Sequence, residues 1–135
     1  MPFSVSLIDE VGYERLKEKR ATQLCATAFQ TRGFEPDRLG EVSVVLVSSE
    51  VIRNLNDQFR SIDAPTDVLS FEVDGPHGEM VGEIVIAPEC ASTEMGIEEL
   101  VIHGALHLGG MDHGDDFESS EMSEVQEMVS EIVRG

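Results

Sequence analysis

Positive charge is scarce in this sequence and almost vanishes after Arg60. Eight of the nine Lys and Arg residues (positions 15, 17, 19, 20, 32, 38, 53 and 60) lie in residues 1–60, where nine Asp and Glu balance them to −1. Residues 61–135 hold Arg134 alone against eighteen acidic residues, a balance of −17, and the whole chain carries −18. So acidic a chain repels nucleic acid at long range, so any surface that binds it must be local and built from the first half. The plain reading of the acidity is a well-solvated surface. Long apolar runs are missing too, and none approaches the length of a membrane span. Met1-Pro2-Phe3-Ser4 is not a basic stretch leading into an apolar one, so no secretory leader is expected and the expected compartment is the cytoplasm. Cysteine occurs twice, at Cys25 and Cys90, with neither a CxxC nor a disulfide spacing. In a reducing compartment both read as small core residues.

What remains is a chain of 135 residues with 41% hydrophobic content, suited to a single domain over 1–135 with no repeat, linker or low-complexity segment. Phe3 to Leu7 alternates apolar and polar residues and predicts a strand. Leu16, Ala21, Leu24 and Ala28 place a helical stripe between Tyr13 and about Gln30. A Gly/Pro loop at 32–37 precedes Val42 to Val47, a β-branched buried strand. Ser48 offers an N-cap for a helix with Val51, Leu55 and Phe59 on one stripe. After a loop at 61–65, strands are expected over Asp67–Val73 and Met80–Ala87, antiparallel across the Asp74–Gly78 turn cluster. A helix follows from Ile97 to about Leu108, stopped by Gly109-Gly110. The last helix is expected from about Phe117 to Val133, with Met122, Val125, Val129 and Ile132 on one face. The order β-α-β-α-β-β-α-α gives an α/β (α+β) layer structure, a four-stranded mixed sheet packed with helices.

The segment that carries chemistry is His103-Gly104-Ala105-Leu106-His107-Leu108-Gly109-Gly110-Met111-Asp112-His113. Two histidines four apart lie one turn apart on the same helix face, so their imidazoles can reach one ion. The glycine pair releases the chain from the helix and lets His113 swing back as a third ligand. Three neutral imidazoles favour zinc, nickel or copper over magnesium or calcium, which want oxygen. Three protein ligands leave one position open. The plain alternative of core or surface histidines suits His77, which sits in a Gly/Pro turn. It suits the other three poorly, because they fall within eleven residues at ligand spacing. The expected site is therefore metal on the penultimate helix and the turn after it, with one Zn2+ held by His103, His107 and His113, and nickel or copper as stand-ins in a recombinant sample.

HxxxHxxGxxH is the zinc-binding skeleton of the metzincin proteases, but those carry a Glu general base directly after the first His, where this chain has Gly104. The metal cradle is kept and the protease base is missing. The whole segment instead resembles the HGxLHLxGxDH signature of the YbeY family, bacterial endoribonucleases of ribosomal RNA maturation. Upstream, Asn56-Asp-Gln-Phe-Arg60-Ser-Ile-Asp-Ala-Pro65-Thr66-Asp67-Val68-Leu69-Ser70-Phe71 is similar to that family's LNxxYRxxDxPTDVLSF block, and Gly82-Glu83-Ile84-Val85-Ile86 to its GDIVI strand. The acidic final helix with Met122 also fits, so the match spans about residues 42–133.

The resemblance implies a metal-dependent, single-strand-specific endoribonuclease acting in maturation of small-subunit ribosomal RNA and in ribosome quality control. Its partners would be ribosomal RNA and the small subunit, with no membrane and no DNA. It carries the metal-ligand roles onto His103, His107 and His113 and makes Arg60 and His113 the candidate catalytic residues. Arg60 would offer its planar fork to a phosphate, where residue chemistry alone favours a surface salt bridge to Asp63 or Asp67. Asp67 and Asp112 are candidates to orient the ligands, or else turn and cap residues. Thr66 and Ser70 read as strand packing or cleft lining. Two departures stand out: Met111 where Tyr is usual, and a shorter stretch from Pro88 to Leu100. The competing classes are a non-catalytic assembly factor with a structural zinc and a metallohydrolase on another substrate.

Overall fold

The computed structural model describes residues 4–34, 39–74, 80–92, 96–111, 117 and 120–135, with backbone alone at 39, 73, 74 and 80. Its elements run β1 (Ser4–Asp9), α1 (Glu18–Thr31), β2 (Leu39–Leu46), α2 (Ser49–Arg60), β3 (Val68–Asp74), β4 (Met80–Ile86), a 3-10 turn (Pro88–Cys90), α3 (Ile97–Leu108) and α4 (Glu121–Arg134). The sheet is mixed and four-stranded, as the sequence pattern predicts, in the order β1-β2-β4-β3. β1 and β2 are parallel, β2 and β4 are parallel, and β3 returns antiparallel to β4 as the edge strand.

The two faces of the sheet are covered unequally. Val42, Val44, Leu46, Ile84 and Ile86 face α1, α3 and α4, and this is the main core. Leu69 and Val85 face the other way, with Val47, Ile52 and Ala87, under α2. The buried residues of α3 run almost unbroken from Leu100 to Leu106, which is why its sequence is apolar all round rather than on a stripe. Each large aliphatic side chain buried there contributes about 1.5–3 kcal/mol.

Three expectations shift. The first helix begins at Glu18 rather than Tyr13. The Asp9 carboxylate gathers the backbone N–H groups of Val11, Tyr13 and Glu14, and Gly12 and Glu14 take positive φ, so a side chain holds the chain in a loop where periodicity suggested a helix. On α2 the buried positions are Ile52 and Asn56, whereas Val51 and Phe59 are exposed. On α4, whose regular turns start at Glu121 rather than Phe117, the buried face is Met122, Gln126, Val129, Ser130 and Val133, and Ile132 points to solvent. The turn cluster at 75–78, with His77, lies outside the described residues.

Candidate metal centre

His103 and His107 both sit on α3, in its second and last turns, where helical spacing stacks them on one face. Their Nε2 atoms converge to 3.1 Å. Two nitrogens bound to one zinc at ordinary bond lengths in a tetrahedral arrangement stand about 3.3–3.4 Å apart, so the pair already has close to ligand spacing.

The other ring nitrogens are occupied. His107 Nδ1 lies 3.0 Å from the backbone oxygen of Met111. That oxygen is placed by the helix end: Gly110 has φ +90°, the Gly110 N–H donates to His107 O, and the Met111 N–H donates to Leu106 O. These two bonds are the 5→2 and 6→1 pair of a glycine-terminated helix, with Met111 folded back into the core beside Leu106. The departure from Tyr at 111 is therefore harmless to this contact, because the backbone makes it.

His103 Nδ1 lies 2.9 Å from Gln126 Oε1 on α4. A carbonyl oxygen and an amide oxygen only accept, so each ring must carry its proton on Nδ1. Both Nε2 atoms then present lone pairs toward the same point, the arrangement a metal-binding histidine pair needs. His103 is buried and His107 half-buried, with the Phe117 ring edge-on to His103 at 4.9 Å between centroids.

Gly104 explains the missing protease base. A Cβ built on it would stand 2.5 Å from Ile84 Cγ2 and 3.1 Å from Ser70 Oγ. The position points toward the sheet, and its backbone oxygen accepts a hydrogen bond from Ser70 Oγ at 3.1 Å. Packing of α3 on β3 and β4 thus requires glycine here, and Ser70 belongs to that packing.

His113 and Asp112 lie outside the described residues. Among the described residues no three of His, Cys, Asp or Glu gather as a metal cluster. Neither orienting partner seen on the pair is Asp67, whose backbone oxygen accepts from the Ala87 N–H. Arg60 closes α2 on the opposite face of the sheet from α3. β3 lies between, with Ser70 turned to α3 and Phe71 turned to Phe59 at 5.1 Å between ring centroids. Arg60 is exposed and makes no ion pair among the described residues; it is Arg53 that takes Asp63, at 2.8 Å. Cys25 is buried and burial pushes its thiol up to about 12, the inert core residue the sequence suggests, and Cys90 is half-buried.

The residue missed by sequence reading is Gln126. Its signal was present: Gln126 and Ser130 interrupt the Met122, Val129, Val133 stripe at helical spacing, and buried polar groups on a core face need partners.

Sheet order and histidine pair define a small α+β domain carrying an imidazole pair of metal-ligand geometry at the end of a buried helix. Residues 8–134 match the sequence model of the family described as "Endoribonuclease YbeY". A protein of that name from Rubrobacter xylanophilus is 64% identical over the whole of this chain and 99% of its own length. Another from Francisella philomiragia is 38% identical over 68% of this chain and 69% of its own. A solution structure from Thermotoga maritima superposes with a TM-score of 0.59 at 34% identity, covering 96% of this chain and 88% of that one. The chain belongs to the YbeY endoribonuclease family.

Proposed function

We propose that this chain is a zinc-dependent, single-strand-specific endoribonuclease that acts in maturation of small-subunit ribosomal RNA and in ribosome quality control, with ribosomal RNA as its partner in the cytoplasm. The observation that carries the metal part is the pair of Nε2 atoms 3.1 Å apart, each ring held by an acceptor on Nδ1. The residues present fit zinc: His103 and His107 would hold it, with His113 as the third ligand by its place in the motif. When bound, zinc supplies Lewis acidity toward a phosphate oxygen and brings the pKa of water near neutrality. The chain's own residues do the rest. The Schellman turn and α4 fix the ring orientations. Phe117 packs its ring edge-on against His103. Arg60, exposed across the edge strand, offers a bidentate fork to a phosphate that runs over that edge.

Membership of an endoribonuclease family supports RNA as the substrate, and Gly104 in its packed seat argues against the peptide alternative. A structural zinc is separated from a catalytic one by removing it. On the catalytic reading, the chelated chain stays folded by circular dichroism and loses RNA cleavage, zinc restores cleavage, and His107→Ala retains less than one equivalent of zinc after dialysis. Unfolding on chelation would support the structural alternative. A full equivalent of zinc in His107→Ala would overturn the three-histidine site.

A further inference from the structure

We propose that Gln126, oriented by Glu99 and Ser130, is the positioning residue that keeps His103 ready for a metal ion; this rests on the metal reading above. A histidine pair at 3.1 Å has an easy alternative to binding metal. If one ring moved its proton to Nε2, the two rings would satisfy each other with an Nε2–H···Nε2 hydrogen bond. That bond would use up both lone pairs. It is blocked only while each Nδ1 keeps its proton, which requires an acceptor on each.

For His107 the acceptor is the Met111 backbone oxygen, which no substitution removes. For His103 it is a side-chain amide, and an amide can present either its oxygen or its nitrogen. The structure shows what decides. Gln126 Nε2 donates to Glu99 Oε2 at 3.1 Å, and Ser130 Oγ donates to Glu99 Oε1 at 2.6 Å. Both Glu99 oxygens act as acceptors, so the carboxyl group receives the nitrogen end of the amide, and Oε1 is left facing His103 at 2.9 Å. Gln126 and Ser130 are 5% and 4% exposed on the face α4 turns to the core, so water cannot readily substitute for either. The donors therefore converge on Glu99, Ser130 from one side and His103 through Gln126 from the other, and the relay ties α4 to the site.

The test uses the full chain and zinc itself, with affinity measured by chelator competition and the ring tautomers of the metal-free protein read by nitrogen NMR. The wild-type chain should show His103 protonated on Nδ1. Gln126→Leu should bind zinc about 10- to 100-fold more weakly, with His103 shifting toward the Nε2–H form. Gln126→Glu should also bind weakly, because it sets two carboxylates against each other. The exchange Glu99→Gln with Gln126→Glu should rescue binding, since the new amide donates to the new carboxylate, which accepts from His103, while Ser130 donates to the amide oxygen. A packing role would not respond to that exchange. Wild-type zinc affinity in folded Gln126→Leu would overturn the positioning role and leave the metal reading standing, whereas no zinc binding by the wild-type chain would sink the metal reading itself. Should Gln126→Leu fail to fold, an Nε2–H tautomer of His103 in the wild-type chain would overturn the proposal and an Nδ1–H tautomer would uphold it.

Discussion

Single residues divide here into those whose chemistry is written in the letter and those whose role depends on what lies opposite. The histidine pair was legible because spacing alone puts positions 103 and 107 on one face. Gln126 was not, since nothing in the sequence says that α4 turns it toward His103. Arg60 belongs between these cases: its exposure and lack of an ion pair among the described residues remove the Asp63 salt bridge that chemistry alone favours. Arg60→Ala should leave zinc content and thermal stability unchanged and slow RNA cleavage by about 10²–10³-fold, equivalent to about 2–4 kcal/mol of transition-state stabilisation. Arg60→Lys should recover part of the loss, because it keeps the charge without the fork. Equal rates for Arg60→Ala and wild type, at matched zinc, would remove Arg60 from the chemistry. Cys25 supplies a pH test. Burial raises its thiol from 9.0 to about 12, so above pH 9 the unfolded chain loses a proton that the folded chain keeps. The unfolded state then binds fewer protons, and stability falls as pH rises, by about 1.4 kcal/mol per unit from this group. Urea unfolding between pH 8 and 11 should show a shallower alkaline decline in Cys25→Ala than in wild type. Parallel declines would mean the thiol is not desolvated.

Helices and strands were read well in kind and order but less well at their ends and in their facing. The start of α1 was missed because Asp9 acts five residues along the chain on Glu14, a contact invisible to periodicity. The face of α2 was misjudged because Val51, Leu55 and Phe59 form a regular apolar stripe, yet the helix lies on a sheet face that has room for Ile52 and Asn56 and leaves Phe59 leaning on Phe71. The same holds in α4, where Ile132 shares a stripe with Met122 and Val129 yet is exposed, while Ser130 is buried. In each case hydrophobicity was a sound guide to the element and a poor guide to its rotation, since a neighbouring surface decides that. The end of α2 carries its own test. Ser61 caps the helix in the left-handed region, φ 58° and ψ 33°, a conformation that disfavours every side chain with a Cβ. Ser61→Gly should stabilise the protein by about 0.5–1 kcal/mol in urea unfolding. A loss of stability would show that the serine hydroxyl makes up for the strain.

On the scale of the whole molecule, two asymmetries set behaviour: charge divided along the sequence and helices divided between the sheet's faces. Mixed pairing and the antiparallel β3–β4 return were legible from strand length and turn chemistry, whereas the strand order β1-β2-β4-β3, with β4 inserted beside β2, was not read. Which face would carry one helix and which three was not read, although Glu41, Ser43 and Glu83 make the second face the more polar one. A net charge of −18 on a chain this size repels itself. Raising sodium chloride from about 10 mM to about 150 mM shortens the screening length from about 30 Å to about 8 Å and should raise Tm in the metal-free protein. A Tm that stays flat would mean the acidic groups are spaced widely enough not to sense each other. The seat of Gly104 against Ile84 reaches further still. Anyone redesigning this scaffold to cut peptides would first restore the glutamate that metzincins carry there, and its Cβ would collide with Ile84 and crowd Ser70. Carving space for it by shrinking Ile84 would bury a lone carboxylate under α3. Such a redesign would have to make room at Ile84 and give the carboxylate a partner, or bring the base in from a different segment.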